Sequence, residues 1–162
     1  LRPRITGPIR AVRLETYAEA RHYCANRAPA TPIAAQFSLS FGTAAALLLG
    51  DLGPEAYRRI GDDELQRIEA LVELREDAAL TAAGARGATL QVTTDDGVFS
   101  ATVTQVAGDP ALPMTEAEVV AKFARYAGPA LGTGTEAVVR AVLQGDRLGI
   151  VEGAGQPHRG AP

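Results

Sequence analysis

Tryptophan is missing from this 162-residue chain, and cysteine and lysine occur once each, as Cys24 and Lys122. A single cysteine excludes an intramolecular disulfide, and a cytoplasmic location is the expectation. Aromatic residues make up 5%, so the core must be built mainly from Ala, Val, Leu and Ile. There are two histidines, and only His22 lies near another metal-binding residue type, Cys24; a metal-ligand cluster is therefore not expected. No apolar run approaches the ~18 residues of a membrane span, and no signal peptide is visible. The net charge of −3 gives no electrostatic case for nucleic acid or an anionic membrane as partner. The sequence begins at Leu1 rather than Met, as expected of a chain that is processed, trimmed or one piece of something longer.

What is present is ordinary for a folded protein: 46% hydrophobic and 22% charged residues, in a chain long enough to bury a core without staples. Pro8 to Leu14 reads as a strand, and Arg21 to Ala30 as irregular. Thr31-Pro32 is a helix start, with a hydroxyl at the N-cap and Pro at the first position, and Gly50 a helix stop, so one helix is expected across "TPIAAQFSLSFGTAAALLLG". A short helix at Pro54–Ile60 and another after Asp62-Asp63-Glu64 follow, then a strand over Leu71 to Arg75 and a loop over 78–87. The strongest local signal is "ATLQVTTDDGVFSATVTQV", a β-hairpin with an Asp96-Gly97 turn suited to type I′. Thr115 and Glu118 form a capping box opening a helix to about Tyr126. "GPALGTG" interrupts it, and Thr135 to Leu143 forms a last helix.

This order implies an α+β fold: a small antiparallel or mixed sheet with helices on one face, followed by C-terminal helices. The expected organisation is an α+β domain over 1–112, a helical segment over 113–150 and a disordered tail over 151–162.

Few residues point to chemistry. The glycines of "GTGTEA" at 132–137 lack the preceding strand of a phosphate loop, and the acidic runs Asp62-Asp63-Glu64 and Asp95-Asp96 serve helix capping and the hairpin turn. Cys24 has no sequence neighbour that would lower its thiol pKa. The polar start of the Thr31 helix has two readings. Its N–H groups, with Arg27 upstream and Gln36 and Ser38 within it, would suit a carboxylate ligand. Alternatively Ser38 and Ser40 bond back to the backbone and Gln36 faces water.

"AAQFSLSFGTAAALLLGDL" resembles the opening of the second half of MmgE/PrpD proteins, through Ala35, Phe37, Ser38, Phe41, Ala45, Leu48 and the nearby Gly50. The likeness continues through "DDELQRIEALVELRED" and through "VTTDDGVFSATVTQVAGDPALPMTEAEVVAKF", where Lys122-Phe123 falls on the family's K-F pair, and covers about residues 5–145. The family includes 2-methylcitrate dehydratase, cis-aconitate decarboxylase and iminodisuccinate epimerase. The resemblance implies a lid domain that closes on a large helical domain, with the site in the cleft between them. It implies proton abstraction next to a carboxylate, then loss of water or carbon dioxide or reprotonation, with no metal or organic cofactor.

Taken with the polar start of the Thr31 helix, the resemblance gives a catalytic reading in which Arg27, Gln36 and Ser38 would bind substrate carboxylate or hydroxyl groups, and it implies that Phe41 lines the cleft. The family's aromatic after the F-S pair is often Tyr, whose hydroxyl Phe41 lacks. The family's acid/base residues come chiefly from the helical half and are absent here, so this chain alone is expected to be inactive. A helical domain from a separate chain or a missing N-terminal region, and a homo- or hetero-oligomer, are the expected partners. The competing reading is a non-catalytic ligand-binding or assembly module derived from the lid.

Overall fold

The computed structural model describes residues 1–145; the tail expected at 151–162 lies outside them. The chain divides into two compact units, Leu1–Leu112 and a second beginning at Pro113.

The first unit is built on a four-stranded mixed sheet. In chain order it contains β1 (Ile9–Thr16), α1 (Ala18–Tyr23), α2 (Pro32–Gln36), α3 (Leu39–Leu49), α4 (Asp63–Ala70), β2 (Val72–Glu76), α5 (Ala78–Ala82), β3 (Ala88–Thr94) and β4 (Gly97–Val103). The sheet order is β2-β1-β3-β4. β1 is parallel to β2 and antiparallel to β3, which forms a hairpin with β4.

Side-chain alternation sorts the two faces. Val12 lies between Val72 and Val92, Leu14 between Leu74 and Leu90, and Phe99 opposite Val92, all on one face. The residues between them, Arg13, Glu73, Arg75 and Gln91, lie on the other, where Glu73 takes both Arg13 and Arg75 as ion-pair partners. A period of two thus makes one apolar face, and α3 and α4 cover it. The core joins Val12, Leu14, Val72 and Val92 to Phe41, Ala44, Ala45 and Leu47 of α3 and Leu65 and Ile68 of α4. The small Ala44 and Ala45, both fully buried, let α3 approach its neighbours closely.

Several local expectations are corrected. The helix expected from Thr31 to Gly50 is two helices. Thr31 caps α2 by accepting from the Ala34 N–H, and Ser38 caps α3 by accepting from the Phe41 N–H, so two hydroxyl caps in one apolar stretch split it at Phe37-Ser38. Gly50 does end α3, in the left-handed conformation at φ 91°. The segment expected to be irregular from Arg21 to Ala30 opens inside α1, whose "AEARHY" consists mostly of good helix formers. The loop expected at 78–87 begins with α5, capped by the Asp77 carboxylate on the N–H groups of Ala79 and Leu80. The hairpin turn is Asp95-Asp96 rather than Asp96-Gly97. Neither aspartate has positive φ, which excludes type I′; Gly97 at φ 143° takes up the unusual backbone instead.

α4 is capped by Asp62, which accepts from the Leu65 N–H at 3.0 Å and pairs with Arg59 at 2.6 Å. The Leu65 N–H first, then the Arg59 guanidinium, hold the Asp62 carboxyl below the usual carboxylate range. A folded-state pKa below the unfolded one stabilises fully above the unfolded value and is lost as pH falls through the folded one. Asp62→Asn is therefore expected to flatten the acid limb of stability against pH while leaving a cap in place, as read by thermal melts across that range.

In the second unit, the Thr115–Glu118 capping box opens α6 (Glu116–Leu131), and a 3-10 turn at Gly132–Gly134 leads to α7 (Thr135–Gln144). α6 does not stop near Tyr126; it runs through Pro129, and the break falls at Gly132, at φ 51°. Val119, Val120 and Phe123 face Val138, Val139, Val142 and Leu143 across a small apolar concavity of ≈ 130 Å³.

Candidate functional site

The segment from Cys24 to Ser40 is tied together by its backbone. Leu39 N–H donates to Cys24 C=O at 2.8 Å and Asn26 N–H to Phe37 C=O at 3.1 Å, so the break between α2 and α3 is zipped to the loop before α2. Against this break lies a concavity of ≈ 550 Å³, lined among others by Cys24, Gln36, Ser38, Leu39, Thr43 and Tyr57. Its walls are largely apolar, with Gln36 and Ser38 at the helix break among the polar residues that line it.

The structure brings Gln36 and Ser38 to this concavity and places Arg27 elsewhere. Arg27 lines a separate, shallower depression of ≈ 320 Å³ with Arg21, Val72 and Glu73, and its Nη1 donates to Val72 C=O at 2.9 Å. Gln36 is exposed at the C-terminal end of α2, with its side chain at the rim. Ser38 is buried, and its hydroxyl is engaged inside the protein: Oγ lies 2.7 Å from Asn26 C=O and 3.2 Å from Ser40 Oγ, and accepts from the Phe41 N–H. A hydroxyl has one proton to donate, and that of Ser38 is directed inward. Phe41 does not line the concavity. Its ring is 1% exposed and stacks on Tyr57 at 6.1 Å between centroids, so position 41 belongs to the core, where α3 presses on the sheet.

One group was missed by reading the sequence. The Glu69 carboxylate is 4% exposed, and its Oε1 accepts from Ser40 Oγ at 2.9 Å and from the Ala28 N–H at 2.9 Å. Ser40 itself is fully buried. Ala28 is the one non-glycine residue with positive φ among those described, at 43°. Glu69 thus fixes a strained turn of the loop that carries Arg27. The signal was present: Leu65, Ile68 and Glu69 share the i, i+3, i+4 stripe of α4, and a carboxylate on a core stripe needs donors.

Among the described residues, no group of three or more His, Cys, Asp or Glu is placed to hold a metal ion, and no helix is long and apolar enough to cross a membrane.

A mixed sheet with one helix-covered face, a concavity at a helix break and a following helix pair define an α+β domain with a candidate small-molecule surface. Residues 2–145 match the MmgE/PrpD C-terminal domain, and the chain belongs to the MmgE/PrpD family. No curated protein matches it.

Proposed function

We propose that this chain supplies the lid of an MmgE/PrpD-type lyase or isomerase that removes a proton beside a carboxylate of a small organic acid. A helical domain, on a separate chain or on a preceding region, would complete the site and bring the acid and base. The match over residues 2–145 carries this reading. The exposed apolar residues of α6 and α7, including Val119, Val142 and Leu143, support it, because such a helix pair is suited to packing against further helices.

In this reading the concavity beside α2 and α3 is the lid's share of the cleft. Gln36 offers amide donors at its rim. Arg27 keeps free donors on its guanidinium beyond the one given to Val72, and would contact the substrate from its own, separate depression. Ser38 acts by holding the helix break and accepting, since its proton is directed inward. Lid closure would exclude water from the developing carbanion.

The test is native mass spectrometry of the protein from its own host, followed by assay of the recovered complex with methylcitrate, aconitate and related acids. The expected result is a complex with a larger helical chain, or a longer chain containing both parts, that turns over one of these acids. Arg27→Ala with Gln36→Ala should then raise KM by roughly tenfold or more, the loss of at least one charge-assisted hydrogen bond. Turnover with unchanged kinetics in the double variant would remove these residues from the site, and absence of turnover with every acid would overturn the catalytic reading.

A further inference from the structure

We infer that the concavity beside α2 and α3 takes an organic acid with a single carboxylate and an aliphatic body, and that Arg2 binds the carboxylate. The inference rests on the reading of that concavity as the lid's share of the cleft, and it narrows the class of acid held there.

Among the residues that line this ≈ 550 Å³ space, Arg2 alone has a charged side chain, and neither Asp nor Glu is present to oppose it. Arg27 lies over the separate depression, so the cation of the concavity itself is Arg2. Its neighbours fix its place. Arg2 opens a 3-10 turn, Arg2–Arg4, in which Arg4 N–H donates to Leu1 C=O at 2.9 Å and Ile5 N–H to Arg2 C=O at 3.1 Å. Leu1 packs against the core on one side of it, and Ile5 belongs to the core on the other. The backbone of Arg2 is thus held between two apolar anchors, while its side chain is exposed. Among the described residues no hydrogen bond or ion pair engages the guanidinium, which leaves its planar fork of donors for a carboxylate.

The remaining wall sets the body of the ligand. Leu39, Ala46, Leu47, Leu52 and Leu90 give it an aliphatic surface. Tyr57 adds a ring held in place by its stacking on Phe41. A tricarboxylate would bring three hydrated charges to a wall with one cation, and charges left unmatched there lose water without gaining a partner. A monoacid brings one charge for one guanidinium, a charge-assisted pair. Each methylene of its body laid on the aliphatic wall multiplies affinity by about four. One charge and a run of methylenes is therefore the composition that this wall rewards.

The test is a nuclear magnetic resonance titration of the 162-residue chain, acetylated at its N-terminus so that no α-amino charge stands beside Arg2. The probes are butanoate, hexanoate, octanoate, 1-octanol and citrate. Octanoate is expected to shift the amides of Leu39, Ala46 and Leu47, and the carboxylates should gain about fourfold in affinity per methylene. Octanoate should also bind about tenfold tighter than 1-octanol. Arg2→Ala should remove that margin and leave 1-octanol binding unchanged, a split that a folding defect would not give. Citrate should leave these amides unmoved. Absence of octanoate shifts below its micellar limit overturns the proposal, and so does citrate binding as tight as octanoate. A carboxylate preference that survives Arg2→Ala overturns the assignment of Arg2. The assays of the completed enzyme decide the lid reading separately. Octanoate binding with this preference but no turnover of any acid keeps the ligand class and overturns that reading; turnover of a tricarboxylate without octanoate binding does the reverse.

Discussion

Glu69→Ala is expected to destabilise the protein by about 2 kcal/mol, because it removes a buried acceptor and leaves the Ala28 N–H without its partner, while the Ser40 hydroxyl still reaches Asn26 C=O at 3.3 Å. Oε1 of Glu69 takes the Ala28 N–H and the Ser40 hydroxyl, and the residue has almost no exposure through which water could replace it. Glu69→Gln retains an acceptor oxygen of the same reach and should cost about 1 kcal/mol, the scale of exchanging a charged hydrogen bond for a neutral one. Urea unfolding gives both values. Amide exchange gives the location: the Ala28 N–H should lose protection in Glu69→Ala under conditions where the Val12 and Val92 amides keep theirs. A loss below about 1 kcal/mol in Glu69→Ala would mean that the loop relaxes to water and that the carboxylate is not its anchor.

Phe41→Ala is expected to cost about 4 kcal/mol, the range for deleting a large buried ring whose surroundings cannot fully collapse. Phe41 meets the core on one side and Tyr57 on the other, and Ala44 and Ala45 beside it are too small to fill the space left. The companion variant Phe41→Tyr separates the two readings of this position. If the ring sat at a cleft, the added hydroxyl would reach solvent and be nearly neutral. In the core it must find a partner or lose its hydration, and about 1–3 kcal/mol of destabilisation is expected. A neutral Phe41→Tyr would return position 41 to the cleft.

The sheet was legible because its strands follow a period of two, interrupted in β1 only where the register shifts between Ile9 and Ala11. Val12 and Leu14, Val72 and Leu74, Leu90 and Val92 each alternate with polar residues, and "TTDDGV" marks the hairpin between two such runs. The caps at Thr31, Asp62 and Thr115 were legible for the same kind of local reason, a short polar side chain before a helix. The break at Phe37-Ser38 was not. Ser38 carries the same cap signal as Thr31, but apolar residues on both sides read as one helix, and only the backbone bonds to Cys24 and Asn26 show the chain turning there. α1 and α5 were missed because helices of six and five residues, "AEARHY" and "AALTA", are too short to show an apolar period.

The candidate site was legible by residue type and not by grouping. Gln36 and Ser38 meet the same concavity, but Arg27, nine residues before Gln36, lies over a different depression, since the intervening turn at Ala28 redirects the loop. A glutamate on α4 sets that turn, a contact spanning 41 residues of sequence, which no local pattern encodes.

The parallel pairing of β1 with β2 bears on how the chain is assembled as it leaves the ribosome. β1 is the first strand of the sheet to be made and ends in the interior of the sheet, yet neither strand that flanks it follows it directly: β2 comes after the whole α1–α4 segment and β3 later still. Val12 and Leu14 must therefore wait through the synthesis of more than half of the first unit before their partners exist. The β3–β4 hairpin is purely local and closes in microseconds once emerged, whereas β1 needs long loops to close around it. The nascent first unit thus carries an apolar strand in search of pairing for most of its own elongation, and the period of greatest exposure to aggregation ends only when "ATLQVTT" clears the exit tunnel.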